Sequence, residues 1–212
     1  MNSKGSLTVV SGFSGAGKGT IMKALLARYP QYCLSISCTT RAPRPGEVDG
    51  KDYFFITRDE FERKVDADEF LEHAEYVHGC YGTPEAYVRE KMAEGRDVIL
   101  EIESQGAMIV KKKIPEAILL FVMTPTAAEL EKRLIGRGTE SHEKIIGRLL
   151  QAETETQRIK KYDAIIVNDT VDEAVEEMHN AIRTFKMAPS RNKAEIEAFA
   201  KELSDINRRE EE

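Results

Sequence analysis

A glycine-rich segment near the N-terminus has the residue types and spacing of a phosphate-binding loop. Residues 12–18 read Gly-Phe-Ser-Gly-Ala-Gly-Lys, between an apolar strand pattern over 7–10 and a helical pattern over 20–28. Glycines let successive backbone N–H groups surround phosphate oxygens, and the N-terminus of the following helix adds favourable potential. Lys18 supplies a positive charge for the β- and γ-phosphates. The residues predicted to bind ATP here are Gly12, Phe13, Ser14, Gly15, Ala16, Gly17, Lys18, Gly19 and Thr20.

The position after Lys18 departs from the usual form of such a loop. The motif ordinarily ends in Ser or Thr, whose hydroxyl ligates Mg²⁺, but here Gly19 follows Lys18 and the hydroxyl comes one residue later, at Thr20. Either Thr20 reaches the metal or water takes that place. We expect Mg²⁺ to bind together with ATP, with Thr20 and Glu101 as candidate ligands through water.

A second set of motifs indicates which molecule would accept a phosphoryl group from ATP. Residues 37–44 read Ser-Cys-Thr-Thr-Arg-Ala-Pro-Arg, and residues 46–53 read Gly-Glu-Val-Asp-Gly-Lys-Asp-Tyr. Both runs closely resemble the GMP-binding segment of guanylate kinases. Further matches in the same order lie at residues 69–72, 81–83, 101–106, 133–140 and 167–169. The resemblance extends from about residue 7 to residue 185, so only the C-terminal tail lies outside it.

The resemblance implies a reaction, ATP + GMP to ADP + GDP, and a role for each matching residue. Two arginines and two tyrosines would hold the GMP phosphate, and carboxylates would accept hydrogen bonds from the N1 and N2 donors of guanine. The hydroxyls of Ser37 and Thr83 would donate hydrogen bonds to the acceptors O6 and N7 of guanine. The implied GMP-binding residues are Ser37, Arg41, Arg44, Tyr53, Glu72, Tyr81, Thr83, Glu101 and Glu103. The implied catalytic residues are Lys18, Arg41, Arg137 and Arg148, and Arg133, Arg137, Asn168 and Asp169 would join the ATP site.

One residue in the acceptor set differs from the family pattern. Glu103 stands where guanylate kinases usually have Asp. The additional methylene lets the carboxylate reach further but holds it less rigidly.

Four apolar runs, at residues 7–10, 98–102, 118–123 and 164–167, predict the strands that position these residues. Separated by helical patterns, such runs indicate a parallel sheet covered on both faces, so the predicted fold is α/β of the P-loop NTPase type. Capping boxes begin helices after Thr57 and Thr126. The expected organisation is a nucleotide-binding core (1–34, 94–125 and 159–189), a GMP-binding lobe (35–93), a helical lid (126–158) and a helical tail (190–212).

The tail has one apolar stripe at helical spacing, formed by Ile196, Phe199, Leu203 and Ile206. We expect this stripe to pack on the body of the protein, with a dimer contact as the alternative. Monomer and homodimer therefore both remain open.

Composition limits the class of partner and the compartment. The net charge is −6 and the longest basic run is Lys111-Lys112-Lys113, so we expect no nucleic acid partner. The longest apolar run, six residues, is too short to cross a bilayer, and no secretory signal is visible, so we expect no membrane association. Three cysteines without a CxxC pair indicate reduced thiols and a cytoplasmic enzyme.

Two other functions compete with guanylate kinase activity. The first is a guanylate-kinase-like module that binds proteins without catalysis; such modules lack a working phosphate loop, whereas Lys18 and its glycines are present here. The second is a kinase for another nucleoside monophosphate. Paired carboxylates argue against AMP, because adenine has no N–H donor at N1 or position 2.

Overall fold

The computed structural model describes residues 5–76, 79–136 and 141–209. The strands in this part of the chain are β1 (Leu7–Gly12), β2 (Tyr32–Leu34), β3 (Cys38–Thr39), β4 (Phe54–Phe55), β5 (Phe70–Tyr76), β6 (Gly79–Pro84), β7 (Asp97–Glu101), β8 (Ile118–Met123) and β9 (Ala164–Val167). The helices are α1 (Lys18–Arg28), α2 (Arg58–Asp66), α3 (Glu85–Ala93), α4 (Ser104–Lys113), α5 (Ala127–Gly136), α6 (His142–Ile159), α7 (Val171–Lys186) and α8 (Lys193–Arg209), with a 3₁₀ turn at Pro189–Arg191.

The main sheet is parallel and has the strand order β2-β7-β1-β8-β9. Residues 118–122 of β8 are completely buried, as expected for a strand covered on both faces. The predicted α/β fold class is confirmed, and each of the four predicted apolar runs overlaps a strand of this sheet. The fifth strand, β2, was not predicted, because Tyr-Cys-Leu at a sheet edge is too short to form an apolar run.

Two hydrophobic clusters lie on opposite faces of the main sheet. One packs α1 and α7 against the sheet, through side chains such as Ile21 and Met178. The other packs α3 and α4 against the opposite face, through side chains such as Val88 and Val110. Helices therefore cover both faces of the sheet. Because its strands are parallel, their carboxyl ends meet at one edge.

A second sheet, with strand order β4-β3-β6-β5, projects from the main one. Its own small core contains Cys38, Phe61, Phe70 and Cys80. Helix α2 begins at the predicted capping box, where the Thr57 hydroxyl accepts a hydrogen bond from Glu60 N–H. The residues that follow Thr126 are capped in the same way by its hydroxyl.

The tail forms the predicted helix, but its apolar stripe does not pack on the body. Ile196, Phe199, Leu203 and Ile206 in α8 are 47–62% exposed. The turn before α8 is the part held to the body: Arg191 donates to the carbonyl oxygen of Glu116 and to Asp163. The expectation of a packed tail is therefore wrong.

The longest apolar run of the sequence is strand β8, inside the sheet. Among the described residues, no helix combines the length and apolar character needed to span a bilayer.

Candidate active site

The phosphate loop connects β1 to α1 and curls around Lys18. The Lys18 ammonium donates to the carbonyl oxygens of Gly12, at 2.6 Å, and Phe13, at 3.2 Å. Gly17 has a φ of 88° at the N-cap of α1, a left-handed conformation that favours glycine. Gly12 lies so close to β8 that an added Cβ would be 2.2 Å from the carbonyl oxygen of Val122. The predicted loop thus has a backbone that only glycine accommodates at these positions.

Asn168 supports this loop from the residue that follows β9. Its side-chain amide is buried and donates to the carbonyl oxygen of Ala16 at 2.7 Å. Asp169, by contrast, is exposed. Both were predicted to bind ATP; the structure places Asn168 against the loop backbone, and nucleotide contacts by either residue remain predictions.

Helices α5 and α6 of the predicted lid also contact the loop. Leu134 of α5 packs so near Gly15 that a Cβ added there would be 2.9 Å from its Cδ2. Arg148 of α6 donates to the Ser14 hydroxyl, whereas Arg133 pairs with Glu129 at 2.8 Å on its own helix. Arg137 lies outside the described residues.

A cleft of about 750 Å³ opens between the loop, the second sheet and α6. Its volume is within the range of small-molecule sites. Seven of the nine predicted GMP-binding residues line it, together with three residues of the phosphate loop: Ser37, Tyr53, Glu72, Tyr81, Thr83, Glu101 and Glu103, with Gly12, Ser14 and Lys18. Among the described residues, the wall includes neither Arg41 nor Arg44 nor Thr20.

Glu72 is a buried carboxylate on the cleft wall, 9% exposed. Thr83, on the neighbouring strand β6, donates its hydroxyl proton to Glu72 Oε1 at 2.6 Å. Burial raises the pKa of Glu72, the Thr83 hydrogen bond partly offsets this, and the nearby charge of Glu103 adds to the increase. Thr83 was predicted to contact guanine directly; in this structure its hydroxyl donates to Glu72, and its contact with guanine stays a prediction.

Two further carboxylates lie at the end of β7, Glu101 as its last residue and Glu103 two residues later. Burial raises the pKa of Glu101, and the positive charge of Lys18 partly offsets the effect. Burial raises the pKa of Tyr76 to about 12, and the charge of the nearby Glu103 carboxylate adds to the increase. Glu101 therefore faces the phosphate loop, while Glu103 belongs to the acceptor side with Glu72.

The sequence analysis missed several residues on the cleft wall, among them Tyr76, Gln151 and Glu155. Glu155 is 8% exposed and accepts from Gln151 at 3.3 Å, one turn earlier on α6. Burial raises its pKa, and hydrogen bonding to Gln151 and the charge of Lys18 offset part of the increase. Glu and Gln four residues apart are typical of any exposed helix face, so the pattern carried no usable signal.

Arg41 makes a two-pronged ion pair that the sequence did not predict. Both of its terminal nitrogens donate to Glu47 at 2.6 Å, and its Nε donates to the Tyr81 hydroxyl at 3.1 Å. Hydrogen bonds from Arg41 and from the backbone N–H of Arg44 lower the pKa of Glu47 to about 2. Arg41 is thus one side chain removed from the cleft, connected to it through Tyr81.

A strand–loop–helix phosphate cradle at one end of the cleft, in a parallel α/β sheet, defines a P-loop nucleotide-binding protein. The family model described as "Guanylate kinase" matches residues 4–185. The chain is 48% identical over 190 residues to a guanylate kinase of Caldanaerobacter subterraneus subsp. tengcongensis, covering 90% of this chain and 92% of that protein. It is 50% identical over 173 residues to the Halalkalibacterium halodurans guanylate kinase, covering 82% and 85%.

A solved structure leads to the same family. The crystal structure of guanylate kinase from Anaplasma phagocytophilum superposes with a TM-score of 0.69 at 32% identity, covering 89% of this chain and 90% of that one. The chain belongs to the guanylate kinase family, as its sequence motifs predicted.

Proposed function

We propose that this protein is an ATP:GMP phosphotransferase, a guanylate kinase that converts ATP and GMP to ADP and GDP. One observation carries the proposal. A single cleft is lined both by the phosphate loop with Lys18 and by the carboxylates Glu72 and Glu103. A triphosphate on the loop and a monophosphate with its base at the carboxylates would meet inside it.

On the donor side, the loop backbone and Lys18 would hold the β- and γ-phosphates. Arg148 already reaches the loop at Ser14, so a closed lid would bring its charge to the transferred phosphoryl group. We assign a similar role to Arg137 from the family resemblance. Exclusion of water by the lid would prevent wasteful hydrolysis of ATP.

On the acceptor side, guanine and the carboxylates are chemically complementary. Guanine has N–H donors at N1 and N2, and ionised carboxylates only accept hydrogen bonds. Glu72 is oriented by Thr83, and Glu103 lies near Glu72 and Tyr76. Adenine in this place would set an acceptor against a buried carboxylate, which costs several kcal/mol and supports GMP over AMP.

The acceptor phosphate needs no general base. Its second pKa is about 6, so its attacking oxygen is mostly ionised at neutral pH. The residues have to align two anions and screen their repulsion, and Lys18, Arg41 and Arg148 are the cations we assign to this task.

Kinases that use ATP generally require a divalent metal, and we propose Mg²⁺. Glu101 fits a water-mediated ligand, because it lines the cleft near Lys18 and carries an oxygen donor. Thr20 fits less well, since it lies outside the cleft wall. Bound metal would neutralise charge on the β- and γ-phosphates.

A cytoplasmic location completes the proposal. It is supported by Cys33, Cys38 and Cys80, which are free thiols in this structure.

A coupled assay that compares GMP, AMP, UMP and CMP as acceptors tests the proposal. We expect GMP to be preferred by about 10⁴-fold in kcat/KM over AMP, because of the unpaired carboxylate that adenine would leave. Lys18→Met should lower phosphoryl transfer to GMP by orders of magnitude while the protein stays folded. Preference for another monophosphate would change the assigned acceptor, and inactivity with all four would favour the non-catalytic module.

A further inference from the structure

Glu47 lies at the centre of the arginine-containing loop of the second sheet. Its Oε1 accepts from Arg41 Nη2, and its Oε2 accepts from Arg41 Nη1, both at 2.6 Å. Oε2 also accepts from the backbone N–H of Arg44 at 2.7 Å. The side chains of Arg41 and Glu47 are only 9% and 19% exposed, so this pair is well shielded from solvent for a loop.

The hydrogen bonds of Arg41 use four of its five N–H donors. Nε donates to Tyr81, Nη1 donates to Glu47 and to the carbonyl oxygen of Ala42, and Nη2 donates once to Glu47. The remaining donor among the described contacts is the second Nη2–H. In a planar guanidinium this hydrogen points to the same side as Nε–H. It therefore lies beside the Tyr81 hydroxyl, and Tyr81 lines the cleft.

Aromatic rings fix the plane of the guanidinium as well. The Arg41 guanidinium carbon lies 4.9 Å from the centre of the Tyr53 ring and 5.7 Å from that of Phe55. Tyr53 itself packs edge-on against Tyr81, with ring centres 5.9 Å apart. Glu47 bonds to the two terminal nitrogens of the guanidinium, and the aromatic rings pack against its face. Together they hold Arg41 in one orientation.

We propose that Glu47 is a positioning residue for the acceptor phosphate. Its carboxylate bonds to both terminal nitrogens of Arg41 and so fixes the guanidinium. The second Nη2–H of Arg41 and the Tyr81 hydroxyl then converge on one phosphate oxygen. Glu47 also anchors Arg44 through the backbone N–H of that residue. This inference rests on the proposed function, in which the acceptor is a nucleoside monophosphate.

The charge of Glu47 is required for this role. Its pKa of about 2 keeps the carboxylate ionised at neutral pH. Glutamine in its place has one NH₂ group, which would face a guanidinium N–H donor instead of accepting from it. Arg41 would then lose its fixed orientation without any loss of side-chain volume at residue 47.

The test compares the wild-type enzyme with Glu47→Gln in steady-state kinetics. We expect KM for GMP to rise about 10- to 100-fold, the range for loss of a charged hydrogen bond, with KM for ATP changed less than about twofold. Guanosine, which lacks the phosphate, should bind both proteins equally in calorimetry. The matched control is Glu62→Gln, which breaks an Arg–Glu pair of the same length on the exposed face of α2 and should change neither KM.

A second comparison asks whether Glu47 acts through Arg41. In the Arg41→Ala background, Glu47→Gln should cause little further increase in KM for GMP, because the side chain that it orients is gone. Equal effects of Glu47→Gln in both backgrounds would overturn the inference.

Other results would also overturn it. A lower KM for GMP in Glu47→Gln would mean that the carboxylate competes with the phosphate for Arg41. An unchanged KM for GMP, or a parallel rise in both KM values with a lower Tm, would leave Glu47 with a structural role only. Failure of the proposed function is separate: the wild-type protein would then neither phosphorylate nor bind GMP, and the comparison would be made with the monophosphate that it does accept.

Discussion

Burial controls the ionisation of Glu72, the carboxylate that we assign to guanine. Because its pKa is raised, the ligand-free chain favours the protonated form of Glu72 more than an exposed glutamate would. The contribution of Glu72 to the free energy of unfolding is therefore fully present below the ordinary pKa of a glutamate. It is lost as the pH rises through the raised pKa of Glu72 in the folded chain. The N–H donors of guanine favour the ionised form of Glu72, so bound GMP would act against the increase in its pKa.

This linkage leads to a prediction about protons. At mildly acidic pH, GMP binding should release protons, and KM for GMP should rise as pH falls through the raised pKa of Glu72. Calorimetry in two buffers of different ionisation enthalpy measures the release, and Glu72→Gln, which cannot ionise, should reduce it. Equal proton release from the wild type and this variant would assign the titration to another group, such as Glu101.

At the scale of elements, the phosphate loop depends on a contact with the far end of the chain. An alanine at Gly17 would need a positive φ, and its Cβ would lie 2.4 Å from the Asn168 side-chain nitrogen. Asn168 cannot retreat without giving up its hydrogen bond to Ala16. The start of α1 and the end of β9 are thus held together by one buried amide.

We predict that Gly17→Ala lowers the free energy of unfolding by about 1–3 kcal/mol, because of the strained backbone and the clash. Gly19→Ala is the matched control. An added Cβ at Gly19 meets nothing within 4 Å, and alanine in a helix is more favourable by up to about 1 kcal/mol. Urea unfolding without nucleotide measures both variants. Similar stabilities for the two would show that the observed loop backbone is not the one in solution.

At the scale of the whole molecule, the body and the tail are connected through Arg191. Its side chain bonds to Asp163, which also accepts from the backbone N–H of Leu119 in β8. Beyond this anchor, α8 exposes its apolar stripe and lies apart from the cleft residues. In the described part of the tail, the side-chain hydrogen bonds to the body come from its first few residues, such as Arg191.

We predict that deletion of residues 193–212, which keeps the anchor, leaves kcat and Tm nearly unchanged. Deletion of residues 190–212 removes Arg191 and should lower stability without a loss of kcat in the folded fraction. Light scattering of the full chain and of the shorter deletion then decides between monomer and homodimer. A large fall in kcat after the shorter deletion would place the tail in the active site.

Local chemistry explains why so much of this protein is predictable. Loop, strand and helix of the phosphate site are contiguous in the chain, and buried strands must be apolar, so both features are visible over short windows. The family motifs predicted the acceptor lobe as well, and seven of its nine assigned residues line the cleft. Family membership is confirmed, while the individual roles of these residues remain predictions.

Tertiary structure alone decided which polar groups meet. Asn168 reaches Ala16 across 152 positions, and Thr83 turns to Glu72 across two paired strands. Even Arg41 and Glu47, six residues apart, pair where the fold places the Tyr53 ring against the guanidinium and the Tyr81 hydroxyl at its Nε. Charged residues in loops are ordinarily solvated, and only the folded environment removes enough water to make one partner preferred.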